Sequence, residues 1–254
     1  MENLINTIFP PRCVFCGALG DVFCENCMST CSLLKEQRCV VCDRPSTNGE
    51  THPYHIHSKN GFKIDWEGSN PRLKDNSVPA NLNNHFPSQF ISTFIYEKNV
   101  RECIRLSKYS SRLFSCLKRL SFEGVNIVYE WGMCFKDFVV LPIPVSKKKE
   151  KLRGFNQADI ISKIFAKRFD LAVDNSVLFR VKDKQAQHSL SRAERFENIK
   201  NSFDVDRSGG RVIGKKYILV DDICTTGATF LEASGVLFDA GAVDVKCFAL
   251  SKKL

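Results

Sequence analysis

At 254 residues and 43% hydrophobic content, the chain is long enough for one sizeable α/β domain and a small accessory module, and no apolar run nears the roughly 20 residues of a membrane span. The opening Met1-Glu2-Asn3-Leu4 lacks the basic start of a secretory signal, so a cytoplasmic location is expected. A formal net charge of +9 and a pI near 9.0 suit a polyanionic partner, either nucleic acid or a pyrophosphate ligand.

Seven of the 12 cysteines fall before residue 43, mostly as Cys-x-x-Cys pairs. In a reducing compartment that spacing reads as metal binding rather than as disulfides. Residues 1–57 are therefore expected to form a zinc-binding cysteine module. Cys13, Cys16, Cys24 and Cys27 supply two such turns, enough to close a tetrahedral Zn²⁺ site. Cys39 and Cys42 need a partner pair, and His52 and His55 repeat the same x-x spacing a short distance on. A Cys₂His₂ site is chemically sound, with His57 and Cys31 as alternative ligands. The remaining cysteines, Cys103, Cys116, Cys134, Cys224 and Cys247, are scattered and read mostly as small buried hydrophobes.

Residues 58–88 are polar, with no sustained apolar period, and are expected to be a linker or surface insertion. From 89 to 254 strand and helix patterns alternate. Phe90–Tyr96 reads as a short alternating strand, and Val100, Cys103, Ile104 and Ser107 as a helical face. Leu113–Leu120 reads as a continuing helix and Phe138–Pro144 as a buried strand ended by prolines. Ile160, Ile161, Ile164, Phe165 and Phe169 mark a helix opening near Phe155. Val177–Val181 is a further strand, followed by a polar segment to about Asn201, and Val243–Leu250 is the last strand. This alternation predicts a mainly parallel sheet flanked by helices, with its ligand at the carboxyl ends of the strands.

The chain is organised around the stretch from Tyr217 to Phe230. An apolar, β-branched run ends on Asp221 and Asp222, then passes through Thr225, Thr226, Gly227, Ala228 and Thr229 into a helical pattern. N–H groups freed at a helix start, the helix dipole and three hydroxyls suit a phosphomonoester, and Gly227 permits close backbone approach. The two acids would repel that phosphate, so they are expected to face ribose hydroxyls or a bound Mg²⁺. A second segment, Lys147 to Ala158, follows the Pro144 strand on the same sheet edge. Its Lys148, Arg153 and Gly154 are placed to meet an anionic substituent, with Arg153 suited to bidentate phosphate contact.

The acid pair followed by Thr-Thr-Gly-Ala-Thr resembles the phosphoribosyl pyrophosphate (PRPP) signature of type I phosphoribosyltransferases. More closely, the chain resembles the bacterial competence-protein-F (ComF) family. The likeness rests on Pro10-Pro11-Arg12-Cys13 with Cys16-Gly17, Lys108-Tyr109, Leu141-Pro142-Ile143-Pro144, Arg153-Gly154-Phe155-Asn156-Gln157-Ala158, Asp221 to Thr229, and Gln187, Leu190, Arg195, Asn198 and Phe203. The resemblance implies a double zinc ribbon fused to a type I phosphoribosyltransferase-like domain, associated with import of single-stranded DNA during transformation. It departs from the family in using His52 and His55 for a fourth cysteine pair and in the length of the 58–88 tract.

Asp221, Asp222, Thr225, Thr226, Gly227, Ala228, Thr229, Lys148, Arg153, Gly154 and Arg195 are then the expected contacts to Mg-PRPP. Asp221 and Asp222 are the candidate catalytic pair, and 185–201 is the cover, with Arg192 or Arg195 reaching the pyrophosphate. Three roles follow: a PRPP-binding protein that handles single-stranded DNA, an active phosphoribosyltransferase with an unidentified acceptor, or a zinc-dependent adaptor for a helicase or translocation partner.

Overall fold

The computed structural model describes residues 10–56, 86–108, 111–182 and 192–254. Short helices α1 (Glu25–Met28) and α2 (Pro53–Ile56) belong to the cysteine-rich segment. There follow β1 (Gln89–Ile95), α3 (Lys98–Leu106), α4 (Ser111–Glu130), β2 (Phe138–Pro142), α5 (Lys147–Arg153), α6 (Gln157–Phe169) and β3 (Ala172–Val173). Then come β4 (Leu178–Arg180), α7 (Arg192–Ile199), β5 (Phe203–Val205), β6 (Lys216–Cys224), α8 (Ala228–Asp239) and β7 (Asp244–Lys252).

Five strands form one sheet in the order β1-β7-β6-β2-β3, and every neighbouring pair is parallel. β4 and β5 pair antiparallel as a separate ribbon. Parallel sheets need cover on both faces, and both are covered here. On one face α8 packs Phe230, Leu231 and Leu237 over Leu219, Tyr217 and Cys247, joined by β4, β5 and Phe196 of α7. On the other face α3, α4 and α6 contribute Ile104, Leu117, Leu120, Ile161 and Phe165 over Ile218, Val220 and Phe248. Each such large apolar side chain taken from water contributes about 1.5–3 kcal/mol.

The cysteine-rich segment closes the sheet's exposed edge. Leu34 N–H donates to the Thr93 carbonyl at 2.8 Å, and Ile95 N–H to the Ser32 carbonyl at 2.9 Å. Next to them, at Ser92, the buried Gln37 side chain stands in for a strand. Its amide nitrogen donates to the Ser92 carbonyl and its oxygen accepts from Ser92 N–H, both at 2.9 Å. An otherwise open edge is thereby satisfied. β1 itself is buried on both faces instead of alternating, as its pattern had suggested, because Phe230 covers Phe90 and α4 covers Ile91 and Phe94.

Other expectations shift in detail. The 58–88 tract lies outside the described residues except for 86–88, where Phe86 is buried and Ser88 N–H donates to the Val245 carbonyl at 2.8 Å. The helix expected over Leu113–Leu120 runs on to Glu130. The polar segment before Asn201 contains α7, and the last strand extends to Lys252. The basic stretch after Pro144 is a helix, α5, capped by the Ser146 hydroxyl, and Gly154 ends it in the left-handed conformation at φ +77°. Gly154 therefore closes this helix, while Asn156 caps the next one through Ala158 N–H. Cys134 is exposed, unlike the other four scattered cysteines, which are buried.

Candidate functional site

Both metal-type clusters assemble as spaced in the sequence. The Sγ atoms of Cys13, Cys16, Cys24 and Cys27 all lie within 4.8 Å of one another. All four are free thiols, with Cys16 and Cys24 Sγ 3.5 Å apart. That is far beyond a disulfide bond of about 2.05 Å and close to the edge of a tetrahedron built on Zn–S bonds of about 2.3 Å. Burial raises the Cys13 thiol, but hydrogen bonds from the N–H groups of Cys24, Cys16 and Phe15 outweigh it and lower the group to about 6. Burial and the neighbouring thiols raise Cys27, so the crowded set shares its protons until a cation replaces them, and four sulfurs at this spacing fit zinc.

The second cluster joins Cys39, Cys42, His52 and His55, again with ligand atoms within 4.8 Å of one another. His52 Nε2 lies 3.1 Å from the Pro45 carbonyl, an oxygen that can only accept. Nε2 therefore carries the proton in the neutral ring, and the lone pair of Nδ1 faces Cys42 Sγ at 3.3 Å. A ligating histidine characteristically holds its other nitrogen on a carbonyl in this way. A hydrogen bond from the Cys39 thiol, followed by one from His55, lowers Cys42 to about 3 against the opposing effect of burial. The residues fit structural zinc at both sites. His57 lies outside the described residues. Cys31 is not part of either cluster: its thiol faces the Cys27 carbonyl at 3.7 Å, and burial raises it to about 11.

The second sequence-predicted site lies at the carboxyl edge of the sheet. β2 and β6 run parallel with Pro142 beside Val220, and Ile143 N–H donates to the Val220 carbonyl at 2.8 Å. Asp221 and Asp222 follow directly. Asp222 N–H donates to Asp221 Oδ1 at 2.8 Å, and the Ser251 hydroxyl donates to the Asp222 carbonyl at 3.1 Å. Desolvation, and then the neighbouring Asp222 carboxylate, push Asp221 well above the usual carboxylate range. The pair accordingly favours a cation or hydroxyl donors. Lys108 supplies one cation already, with Nζ 3.6 Å from Asp222 Oδ2.

Beyond the acids the chain turns through Thr225 and Thr226 to Gly227, which caps α8 at φ +83°. A glycine cap offers the first turn no side-chain acceptor. The one local substitute is the Thr226 hydroxyl, 3.4 Å from Ala228 N–H. The dipole end of a 12-residue helix thus lies beside two half-buried threonines, Thr226 and Thr229.

Of the basic candidates, Lys148 is exposed and Arg153 half-buried on α5, which follows β2 and so stands on the same sheet edge. Arg195 is half-buried on α7, a helix packed against α8. Beside α5 a recess of about 400 Å³ is lined by Pro142, Phe155, Asn156, Leu178, Phe179 and Arg180. The proposed cover is described only from Arg192 onward, and for Arg192 only as backbone.

Sequence reasoning missed Lys252. The residue is 2% exposed, and its ammonium lies 2.6 Å from the Thr225 carbonyl and 3.0 Å from Asp43 Oδ1. In the sequence it looks like part of a charged tail, Ser251-Lys252-Lys253-Leu254; the available signal was that the β7 pattern continues past Leu250.

Comparison with known proteins agrees with this anatomy. Residues 4–56 match the double zinc ribbon domain. "Competence protein F" of Haemophilus influenzae is 32% identical over 44% of this chain and 49% of its own length. "DNA utilization protein YhgH" of Shigella flexneri is 30% identical over 63% of this chain and 70% of its own. The chain belongs to the competence protein F family. Within that family, "Competence protein ComFC" of Bacillus subtilis aligns most of the way along, 25% identical over 94% of this chain and 88% of its own. The chain spans about half the length of the Haemophilus relative. Among solved structures, the glutamine PRPP amidotransferase from B. subtilis aligns with a TM-score of 0.36, at 19% identity over 54% of this chain and 26% of that one. Among the described residues no helix is long and apolar enough to cross a membrane.

Proposed function

We infer that this family member binds Mg-PRPP or a related ribose 5-phosphate at the β6–α8 edge and works on single-stranded DNA during DNA uptake. The observation that carries the ligand reading is the acid pair at the end of β6 followed by a helix whose first turn is capped by Gly227. Thr225, Thr226, Gly227, Ala228 and Thr229 hold the 5-phosphate. Asp221 and Asp222 hold the ribose hydroxyls and the magnesium. Lys148, Arg153, Gly154 and Arg195 meet the pyrophosphate. Asp222 is released from Lys108 as the ligand's own cation arrives.

The DNA reading draws on the relatives' names, "DNA utilization protein" and "Competence protein", and on α5. That helix presents exposed Lys147, Lys148 and Lys151 around Leu152, which is 81% exposed. Lysines that track phosphates give affinity that falls steeply with salt. We place residues 1–57 as the zinc module, 58–88 as a linker or insertion, 89–254 as the phosphoribosyltransferase-like domain, and the chain in the cytoplasm, where a helicase or translocation protein would meet it.

Thermal unfolding tests the ligand. A binder of the native state raises Tm by mass action, so Mg-PRPP at millimolar concentration raises Tm by several degrees and ribose 5-phosphate by less. A chain indifferent to both contradicts the reading. Transfer is a separate question. Release of pyrophosphate with any nucleobase in a panel would favour an active transferase, in which Asp221 and Asp222 steady the ribose while charge develops at C1.

A further inference from the structure

We propose that Lys252 is a positioning residue for the phosphate loop and that the second zinc ribbon, acting through Asp43 and Val40, is part of the ligand site's scaffold. This rests on the β6–α8 edge being that ligand's site.

The Lys252 ammonium has three hydrogens and three oxygens around it: Thr225 carbonyl at 2.6 Å, Asp43 Oδ1 at 3.0 Å and its neighbour's Lys253 carbonyl at 3.0 Å. At 2% exposure such a charge is tolerated only when fully paired, so each partner is held in place. The bond to Thr225 has a directional consequence. In a planar trans peptide the C=O of Thr225 and the N–H of Thr226 point to opposite sides. Drawing the carbonyl inward to Lys252 turns the Thr226 N–H outward, toward the face where an anion is bound. Donation to that carbonyl also polarises the N–H.

The other end of the tether belongs to the metal knuckle. Asp43 follows Cys42 directly, adopts a left-handed φ of +61° and donates its N–H to the Cys39 carbonyl at 2.9 Å. Its position is therefore set by the turn that carries two of the zinc-site thiols. The same turn supports the loop sterically. The Val40 carbonyl lies against Gly227, only 2.6 Å from where a Cβ would stand. Among the described residues the first cluster has no such link. Phe15, Phe23, Cys27 and Cys31 around it pack on the opposite face of the sheet, with α3 and α4.

Coupling through shared contacts is reciprocal. The test is zinc competition against a chromogenic chelator, with and without saturating Mg-PRPP, on the full chain, alongside titration of Mg-PRPP into wild type, Asp43→Asn and the charge-balanced double variant Asp43→Asn/Lys252→Met. The expected result is that Mg-PRPP tightens one of two zinc equivalents by tenfold or more and leaves the other unchanged. The double variant folds with both zinc ions, binds Mg-PRPP about tenfold or more weakly, and loses the selective protection. Wild type that binds no Mg-PRPP removes the ligand reading and this inference with it. Wild type that binds, with equal affinity in the double variant or with both zinc ions protected alike, overturns this inference alone.

Discussion

Gly227 and Val40 meet with no space between them: a Cβ added to Gly227 would stand 2.6 Å from the Val40 carbonyl oxygen. The loop that ends at Gly227 and the turn between Cys39 and Cys42 are thus one packed unit. Gly227→Ala also forces alanine to φ +83°, a left-handed conformation that costs about 1–2 kcal/mol by itself. We expect a loss of about 2 kcal/mol or more, read as a lower urea midpoint, because the obstructing atom is backbone and gives way poorly. A midpoint equal to wild type contradicts the close packing.

Asp221 carries a pH signature. Its folded pKa lies above the unfolded value, so the folded state holds the proton more tightly. Stability of the ligand-free chain therefore falls as pH rises from about 4 through the folded pKa, and levels off above it. Asp221→Asn removes that dependence and is more stable than wild type at pH 7.5, while binding Mg-PRPP worse. A variant that melts lower at pH 7.5 and keeps the wild-type slope rules the account out.

Zinc content separates the two clusters. Wild type is expected to hold two equivalents, and Cys13→Ser and His55→Gln one each. Losing the second ion costs more at the phosphate loop, so His55→Gln weakens Mg-PRPP binding while Cys13→Ser changes it little. One equivalent in wild type would remove the Cys39, Cys42, His52 and His55 assignment.

Gln37 replaces a strand at the β1 edge through two bonds to Ser92. Gln37→Leu leaves a buried N–H and a buried C=O without partners, a loss of about 3 kcal/mol. Denaturant unfolding measures it, and a change below 1 kcal/mol means that the edge is satisfied some other way.

The features legible in the sequence are those whose chemistry is concentrated in a few consecutive residues. Cys13, Cys16, Cys24 and Cys27 announce one another by spacing, whereas Cys39 and Cys42 left His57 and Cys31 open beside His52 and His55, and Asp221 to Thr229 packs acids, hydroxyls and a glycine into one strand-to-helix turn. The parallel sheet was legible because apolar runs such as Tyr217–Val220 alternate with helical faces. What escaped depends on contacts distant in the chain. β1 is buried on both faces because Phe230 packs on Phe90 from one side and α4 packs on Ile91 and Phe94 from the other. The helix α5 carries no apolar stripe, since none of its side chains is buried, and hydrophobic period cannot reveal it. Lys252 lies over 200 positions from Asp43 in sequence yet 3.0 Å away in space, and the continuing β7 pattern marks it as strand without revealing that partner.

The most direct measurement is titration calorimetry of Mg-PRPP into wild type and Asp222→Asn under the same conditions. Asp222 lies at the end of β6, within reach of any ribose or magnesium held at this edge, and the substitution preserves its shape. Wild type is expected to give a saturable one-site isotherm and Asp222→Asn an affinity at least tenfold lower, a loss of about 1.4 kcal/mol or more. No heat with wild type, or identical isotherms for the two proteins, would contradict a ribose-phosphate site at Asp221 to Thr229.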